Sequence, residues 1–506
     1  MCGFAGFLGA DENAVIEAMV RVLHHRGPDD CDTFSDPRQR VRLGHTRLSI
    51  LDLSSLGRQP MTDEASQITM VYNGELYNFR ALRAELAQLG HTFESQCDSE
   101  VVLRAFVAWG SAAFRRFNGL FAAAFWNGET GEVTLVRDRF GIKPLYYFRA
   151  GKVFVFGSEI KALLEHPVVE PRLEAAALHE FLYYGNNLRR RTLFEGVSKL
   201  LPGHYLTVDA TGAVCESPYW QVEDVAPVAC SEQEARERVR ELLERAVASQ
   251  LVSDVPVGVF LSGGIDSSAI TAFASRHYGR PIKTYSVAFD FAGAHNELAQ
   301  AKNVAQQFGT EHHEMTISGY DVARTIEELI GAHDLPFSDA ANIPLFLLAG
   351  EIPDDVKVIL QGDGGDEMFA GYRRHNTVDN IGLMRLVARF ANGANRLFPR
   401  NAKRFWRQRY IDALLSSSDA GLMALLLTME TRNPSPLRVL NEDVRAEVAE
   451  ADPFAAYTEC DRRFASMNLT QKLLYTDTQL ILADIFLEKV DRSAMAQSVE
   501  VRVPFL

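Results

Sequence analysis

Three observations predict a chain of two unlike halves, an α+β domain followed by a parallel-sheet α/β domain. Up to about residue 210, short strand-like runs are separated by turns; beyond about residue 232, apolar strands alternate with long helical stretches. The length of 506 residues exceeds what one hydrophobic core organises, and 47% hydrophobic residues suffice for more than one.

In the first half, residues 3–8, 68–71, 132–136 and 152–156 read as strands, while 79–89 and 99–109 carry apolar residues at helical spacing. The turn Asn127-Gly128-Glu129-Thr130-Gly131 joins residues 121–126 to the strand starting near Glu132, a hairpin in a mostly antiparallel domain. Residues 211–232 include Thr211-Gly212, Ser217-Pro218 and Ala226-Pro227 and read as a linker, so the expected domains are 1–210 and 233–506. A helix over 232–250 comes next. Strands over 255–261, 284–289 and 356–360 then alternate with helices.

A formal charge of -14 and a pI near 5.5 argue against nucleic acid as a partner but leave small anions open, because local glycine loops bind phosphate against the global field. The basic stretch 396–409 reads as a solvated surface. Six scattered cysteines without a CxxC pair, no signal-like N-terminus and no apolar run long enough to span a bilayer fit a reducing, cytoplasmic setting without a membrane partner.

Cys2 stands where loss of Met1 would place an amine beside a thiol, a base next to a nucleophile; the plainer alternative is a chance cysteine near a frayed end. Further on, a strand runs into Ser262-Gly263-Gly264-Ile265-Asp266-Ser267-Ser268. The glycines permit close approach of backbone donors to a polyanion, the serines add hydroxyls, and Asp266 suits such a site only with a divalent cation. A simple chain reversal is the alternative, and the lysine of the Walker loop is absent. A second strand leads into Gly362-Asp363-Gly364-Gly365-Asp366-Glu367. Parallel strands deliver such turns to one sheet edge, so Asp266 and Asp366 are the expected Mg²⁺ pair and Asp363 the acid that orients or deprotonates an incoming amine. A calcium-binding loop is the alternative there, without the EF-hand spacing. Lys489 would neutralise charge on pyrophosphate or an acyl-adenylate, or else form a surface ion pair.

The combined motifs resemble glutamine-hydrolysing asparagine synthetases. The resemblance is carried by His25-Arg26-Gly27-Pro28-Asp29, Gly44-His45-Thr46-Arg47-Leu48-Ser49-Ile50, Tyr72-Asn73-Gly74-Glu75-Leu76-Tyr77-Asn78, Asp98-Ser99-Glu100 and Arg137-Asp138-Arg139-Phe140-Gly141, with the two glycine turns and Arg502-Val503-Pro504-Phe505-Leu506. It implies an N-terminal-nucleophile αββα sandwich of the class II glutamine amidotransferase type, followed by an ATP-pyrophosphatase domain. It further implies Cys2 as nucleophile, Asn73 and Gly74 as oxyanion donors, Arg47 on the glutamine carboxylate, and Asp98 with Glu75 and Gly74 on its ammonium group. Leu261 and Val287 would meet adenine; Ser262, Gly263, Gly264 and Ser267 the pyrophosphate; Gly362 the nucleotide; Asp266 and Asp366 Mg²⁺; and Lys489 with Asp363 the adenylated carboxylate. The implied reaction hydrolyses glutamine and amidates aspartate through β-aspartyl-AMP, with ATP as cosubstrate, an apolar ammonia path between sites and a homodimer as the expected assembly. Taken singly, Asn73-Gly74 also reads as a hairpin turn, Arg47 as a surface ion pair and Asp98 as a helix cap.

Two departures bear on the acceptor. Asp363 stands where some members have Glu, and Leu335, Ala340 and Asn342 alter the acceptor-side segment, opening the alternative of another carboxylate, such as a sugar acid or biosynthetic intermediate. The chain stops at Pro504-Phe505-Leu506 where the family continues through further helices, so truncation is expected.

Overall fold

The computed structural model describes residues 2–9, 13–36, 38, 40–225, 228–289, 297–317, 319–395, 402–428 and 435–506. Ala226, Pro227 and the basic residues Arg396 and Arg400 lie outside them. The first domain contains strands β1 (Gly3–Leu8), β2 (Asp30–Asp36), β3 (Val41–Arg47), β4 (Met61–Asp63), β5 (Ile68–Leu76) and β6 (Gly119–Asn127). It continues through β7 (Glu132–Arg137), β8 (Tyr146–Ala150), β9 (Val153–Gly157), β10 (Val197–Lys199), β11 (His204–Val208) and β12 (Val214–Pro218). They form two antiparallel sheets, ordered β10-β8-β9-β1-β3-β2 and β12-β11-β7-β6-β5-β4.

Period-two alternation builds the layers. Phe4 and Leu8 of β1 meet Ala122, Ala124 and Trp126 of β6 in the core between the sheets. The intervening Ala5 and Phe7 turn outward onto the helices Asn13–Val22 and Ile160–Leu164. On the other sheet, Phe121, Ala123 and Phe125 turn outward onto Phe79–Gln88 and Asp98–Trp109. The result is the αββα sandwich. The expected hairpin is present, with Trp126 opposite Val133. Within the span read as linker, Val214–Pro218 is instead the edge strand β12, paired with β11 from His204↔Pro218 to Val208↔Val214. Its half-exposed residues lack the apolar run that marks an inner strand.

After the helix Glu232–Gln250 comes a parallel sheet of β13 (Val257–Phe260), β14 (Lys283–Phe289), β15 (Glu311–Ile317), β16 (Val358–Leu360) and β17 (Glu500–Arg502), ordered β15-β14-β13-β16-β17. β13 and β16 are adjacent, with Val259 opposite Leu360, so the two glycine turns leave the same edge side by side. A large apolar cluster joins Leu48, Ile50, Leu120 and Ile142 of the sandwich to Val490, Ala494, Val501 and Val503 of the second domain. Among the described residues no helix is long and apolar enough to cross a membrane.

Candidate active sites

Cys2 precedes β1, and its backbone N–H donates to Asn73 Oδ1 at 3.1 Å. Asn73 is fully buried within β5, not in a turn, and its Nδ2 is a buried donor without a hydrogen-bond partner, although Asn73 is not among the residues that line the cavity beside Cys2. Gly74 follows in the strand. A Cβ there would lie 2.3 Å from the Leu120 carbonyl oxygen, so only glycine fits. Burial pushes the Cys2 thiol above its ordinary range, against the lowering effect of the terminal ammonium, the Leu48 backbone and the Arg47 charge.

Cys2, Arg47, Gly74, Glu75 and Asp98 line one cavity of about 40 Å³. Arg47 is buried rather than on the surface. Its guanidinium donates to the carbonyls of Ser54 at 2.7 Å and Asp52 at 2.5 Å, which fix the fork in place. Asp98 is the first residue of its helix, but its carboxylate reaches back to accept from Leu76 N–H at 2.8 Å and Tyr72 OH at 3.0 Å. Burial raises its pKa to about 6, against the lowering effect of those bonds. Glu75 is raised well above the carboxylate range by burial and then by the charge of Asp98.

The second cavity, of about 480 Å³, opens at the edge of the parallel sheet. Leu261, Ser262, Gly264, Asp266, Ser267, Val287, Gly362, Asp363, Asp366 and Lys489 all line it. Gly263 sits behind the wall with φ +83, where an added Cβ would strike Ala301 N at 2.6 Å; its role is the turn itself. Both backbone groups of Leu261 are already engaged, its N–H by Tyr285 O at 2.9 Å and its C=O by the Ser286 hydroxyl. The Ser262 and Ser267 hydroxyls lie 3.0 Å apart. The two turns touch: a Cβ on Gly365 would lie 2.6 Å from Asp266 Oδ2. Burial first, then the charges of Asp366 and Asp363, raise the Asp266 pKa.

Lys489 stands on the helix Leu487–Met495, every residue of which is buried. Its Nζ lies 3.1 Å from Asp339 Oδ2 and 4.8 Å from the Phe486 ring centroid, so it is not a surface ion pair. The same helix is anchored in the sandwich: Asp491 pairs with Arg26 at 2.8 Å and Lys143 at 3.0 Å, and Arg492 with Glu159 at 3.0 Å. Arg26 in turn donates to the Cys2 carbonyl at 3.1 Å.

The acceptor-side departures fall elsewhere than expected. Leu335 packs into the sandwich's outer core, and Asn342 is buried against His333 and the Ser493 hydroxyl. From that segment the cavity meets Ala341 and Pro344. Substitutions at Leu335, Ala340 and Asn342 are therefore not changes of the cavity wall. Sequence reasoning also missed Tyr372, Glu367 and Phe486 on the second cavity and Tyr72, Gln59 and Glu500 on the first. Tyr372 and Phe486 had a usable signal, an aromatic just past an acidic turn and another three residues before Lys489.

The glutamine amidotransferase domain family matches residues 1–220, and the asparagine synthase family matches residues 238–506. Over its whole length the chain is 32% identical to the glutamine-hydrolyzing asparagine synthetase 3 of Bacillus subtilis (strain 168), covering 79% of that protein. It is 30% identical, again over its whole length, to asparagine synthetase 1 of the same organism, covering 79% of it. The amidase chry2 of Gibberella zeae is 32% identical over 74% of this chain and 59% of its own length. With a glutaminase half and an ATP-dependent ligase half on one chain, and relatives that align over the whole of this chain and 79% of their own length, this protein belongs to the glutamine-hydrolysing asparagine synthetase family.

Proposed function

We propose that the protein is a glutamine-dependent asparagine synthetase. The observation that carries this reading is one buried helix, Leu487–Met495, that presents Lys489 to the larger cavity while Asp491 pairs with Arg26 behind Cys2. In the smaller cavity, Cys2 attacks the glutamine carboxamide with its own α-amine as base, after removal of Met1. The Asn73 amide and the Gly74 N–H stabilise the tetrahedral oxyanion, Arg47 holds the substrate carboxylate, and Glu75 and Asp98 its ammonium group. Leu48 and Ile50 border this cavity and belong to the apolar cluster between domains, which supports a water-poor route for ammonia.

In the larger cavity, Leu261 and Val287 border the adenine and Ser262, Gly264, Ser267 and Gly362 the phosphates of ATP. Asp266 and Asp366 fit Mg²⁺: two like charges face one another across touching turns, and the described residues hold no third ligand to complete a protein cage. That donor set suits a cation whose other ligands are phosphate oxygens and water. Bound there, Mg²⁺ would neutralise phosphate charge. Lys489 steadies the anionic acyl-adenylate, and Asp363, whose pKa burial raises against the pull of Lys489, takes a proton from the attacking amine. A cytoplasmic setting belongs to the same reading, supported by six free cysteines.

A second reading, amidation of a different carboxylate, is favoured by the similarity to an amidase and by the shorter acid at position 363. A panel of carboxylates with glutamine and ATP-Mg²⁺, followed by AMP, pyrophosphate and amidated product, decides between them. Aspartate-dependent product is expected; robust amidation of another acid without it would overturn the aspartate assignment.

A further inference from the structure

We propose that Glu500, supplied by the synthetase sheet, is a glutamine-binding residue that shares the substrate's α-ammonium group with Asp98. The proposal rests on the glutaminase reading above. Glu500 opens β17, is fully buried, and crosses the domain boundary to line the cavity that holds Cys2, Arg47, Glu75 and Asp98. Two residues on, and so on the same face of the strand, Arg502 donates Nε–H to Glu500 Oε1 at 2.5 Å and reaches Glu75 Oε2 at 3.1 Å. Arg502 also donates to the carbonyls of Gln250 at 2.7 Å and Val252 at 2.8 Å, so its guanidinium is fixed.

Three acids, Glu75, Asp98 and Glu500, therefore border one small cavity, with Arg502 tied between two of them. Their charges act on one another: Glu500 and Asp98 both raise the Glu75 carboxyl, and Glu500 raises Asp98. Arg47 is held by carbonyls from a different loop and supplies the site for an anion. An α-amino acid brings one anion and one cation, and carboxyl groups gathered on one wall opposite Arg47 are complementary to the cation. Glu500 is the member of that wall that the sandwich cannot provide. The glutamine site is thus a site of both domains. The strand that completes it also supports the other cavity, since Gln361 N–H donates to Arg502 O at 2.9 Å just ahead of Asp363 and Asp366.

The test compares glutamine with glutaramate, which has the same amide and carboxylate but no α-amine, in the full-length protein and in Glu500→Gln. Glutamate or glutarate release gives kcat and KM for each. Loss of one charge-assisted contact is expected to raise KM for glutamine about tenfold, with kcat within about twofold and KM for glutaramate within about twofold. Thermal melting reports the fold. Should Glu500→Gln fail to fold, Glu500→Asp carries the same comparison, with the charge kept, the reach shortened and a smaller rise confined to glutamine. Equal losses for both substrates, or an unchanged KM for glutamine, would overturn the proposal and leave Glu500 a packing residue. A wild-type protein that releases no glutamate overturns the glutaminase reading and the proposal with it; an active wild type with an insensitive variant overturns the proposal alone.

Discussion

The two cavities solve opposite electrostatic problems. Around Cys2 a space of about 40 Å³ is walled by groups that already have partners: Arg47 on two carbonyls, Asp98 on Tyr72 and Leu76, Glu75 on Arg502. At the sheet edge a space of about 480 Å³ carries Asp266, Asp363 and Asp366 on touching turns, with Lys489 the cation among its described lining residues. On the proposed function, the first is preorganised for one small zwitterion. On the same reading the second is assembled with its ligands: Asp363 already faces the charge of Lys489, whereas Asp266 and Asp366 gain a cation only when it arrives with a polyanion.

The sharpest way to break that division is to remove one chemistry and ask whether the other survives. Cys2→Ala is expected to lower glutamine-dependent synthesis and glutamate release by roughly 10³-fold or more, while synthesis from supplied ammonia persists. Equal loss of both activities would mean that the cavities do not divide the labour. The reciprocal change, Asp266→Asn, is expected to lower pyrophosphate release by about 10²- to 10³-fold and to leave glutamate release within about threefold. Assays of pyrophosphate and glutamate on the same preparation check both arms.

A smaller effect sharpens the contrast in pH. With its carboxyl near pKa 6, Asp98 is ionised in the free protein above that value and protonated below it. On the proposed function, glutamine's ammonium group selects the ionised form, so binding and proton release are linked and KM for glutamine is expected to rise as pH falls through about 6. Asp98→Asn should raise KM about 10- to 100-fold at neutral pH and abolish that acid limb. A KM profile from pH 5 to 8 measures it; a limb that survives the substitution assigns the titration to another group. The stability sign is opposite in sense to that of an ion-paired acid. Since the folded-state pKa is raised, folding binds a proton near pH 4 to 6, and this group's contribution to stability declines as pH rises through that window.

How much of this was legible follows from the range of each interaction. Alternation along β1 and β6 is local, and so several strands and the hairpin could be read directly, whereas the αββα sandwich came only as an implication of the family resemblance. The glycine turns were legible as two neighbouring turns at one sheet edge, because parallel strands deliver their following loops to the same side. Residues whose meaning lies in a distant partner were not. Glu500 and Arg502 looked like part of a terminal motif, and nothing within the strand announces Glu75, more than four hundred residues away. β12 was missed for the same reason: its place is set by pairing with β11 at an edge, not by an apolar run of its own. Leu335 misled in the other direction, since a changed residue in a motif looks like a changed pocket until the backbone shows that it faces the core.

The smallest expected effect separates framework from contact within the glutaminase cavity. Gln59 borders that cavity and holds the backbone of Tyr72 from both sides, accepting from its N–H at 2.6 Å and donating to its carbonyl at 3.2 Å. Gln59→Leu keeps the approximate volume but leaves the Tyr72 N–H buried and unpaired, while His45 Nε2 still lies 3.1 Å from the Tyr72 carbonyl oxygen, which should cost about 1–3 kcal/mol of stability. Tyr72 is the residue before Asn73 and donates to Asp98, so some displacement reaches the substrate. In a preorganised site that displacement is shared among many fixed groups, and KM for glutamine should rise only about two- to fivefold while ammonia-dependent synthesis holds steady. Thermal unfolding alongside glutaminase kinetics measures the split. A rise as large as that of Asp98→Asn would mean that rigidity, rather than the charge of the carboxylates, selects glutamine, and the contrast between a preorganised cavity and an assembled one would have to be redrawn around that fact.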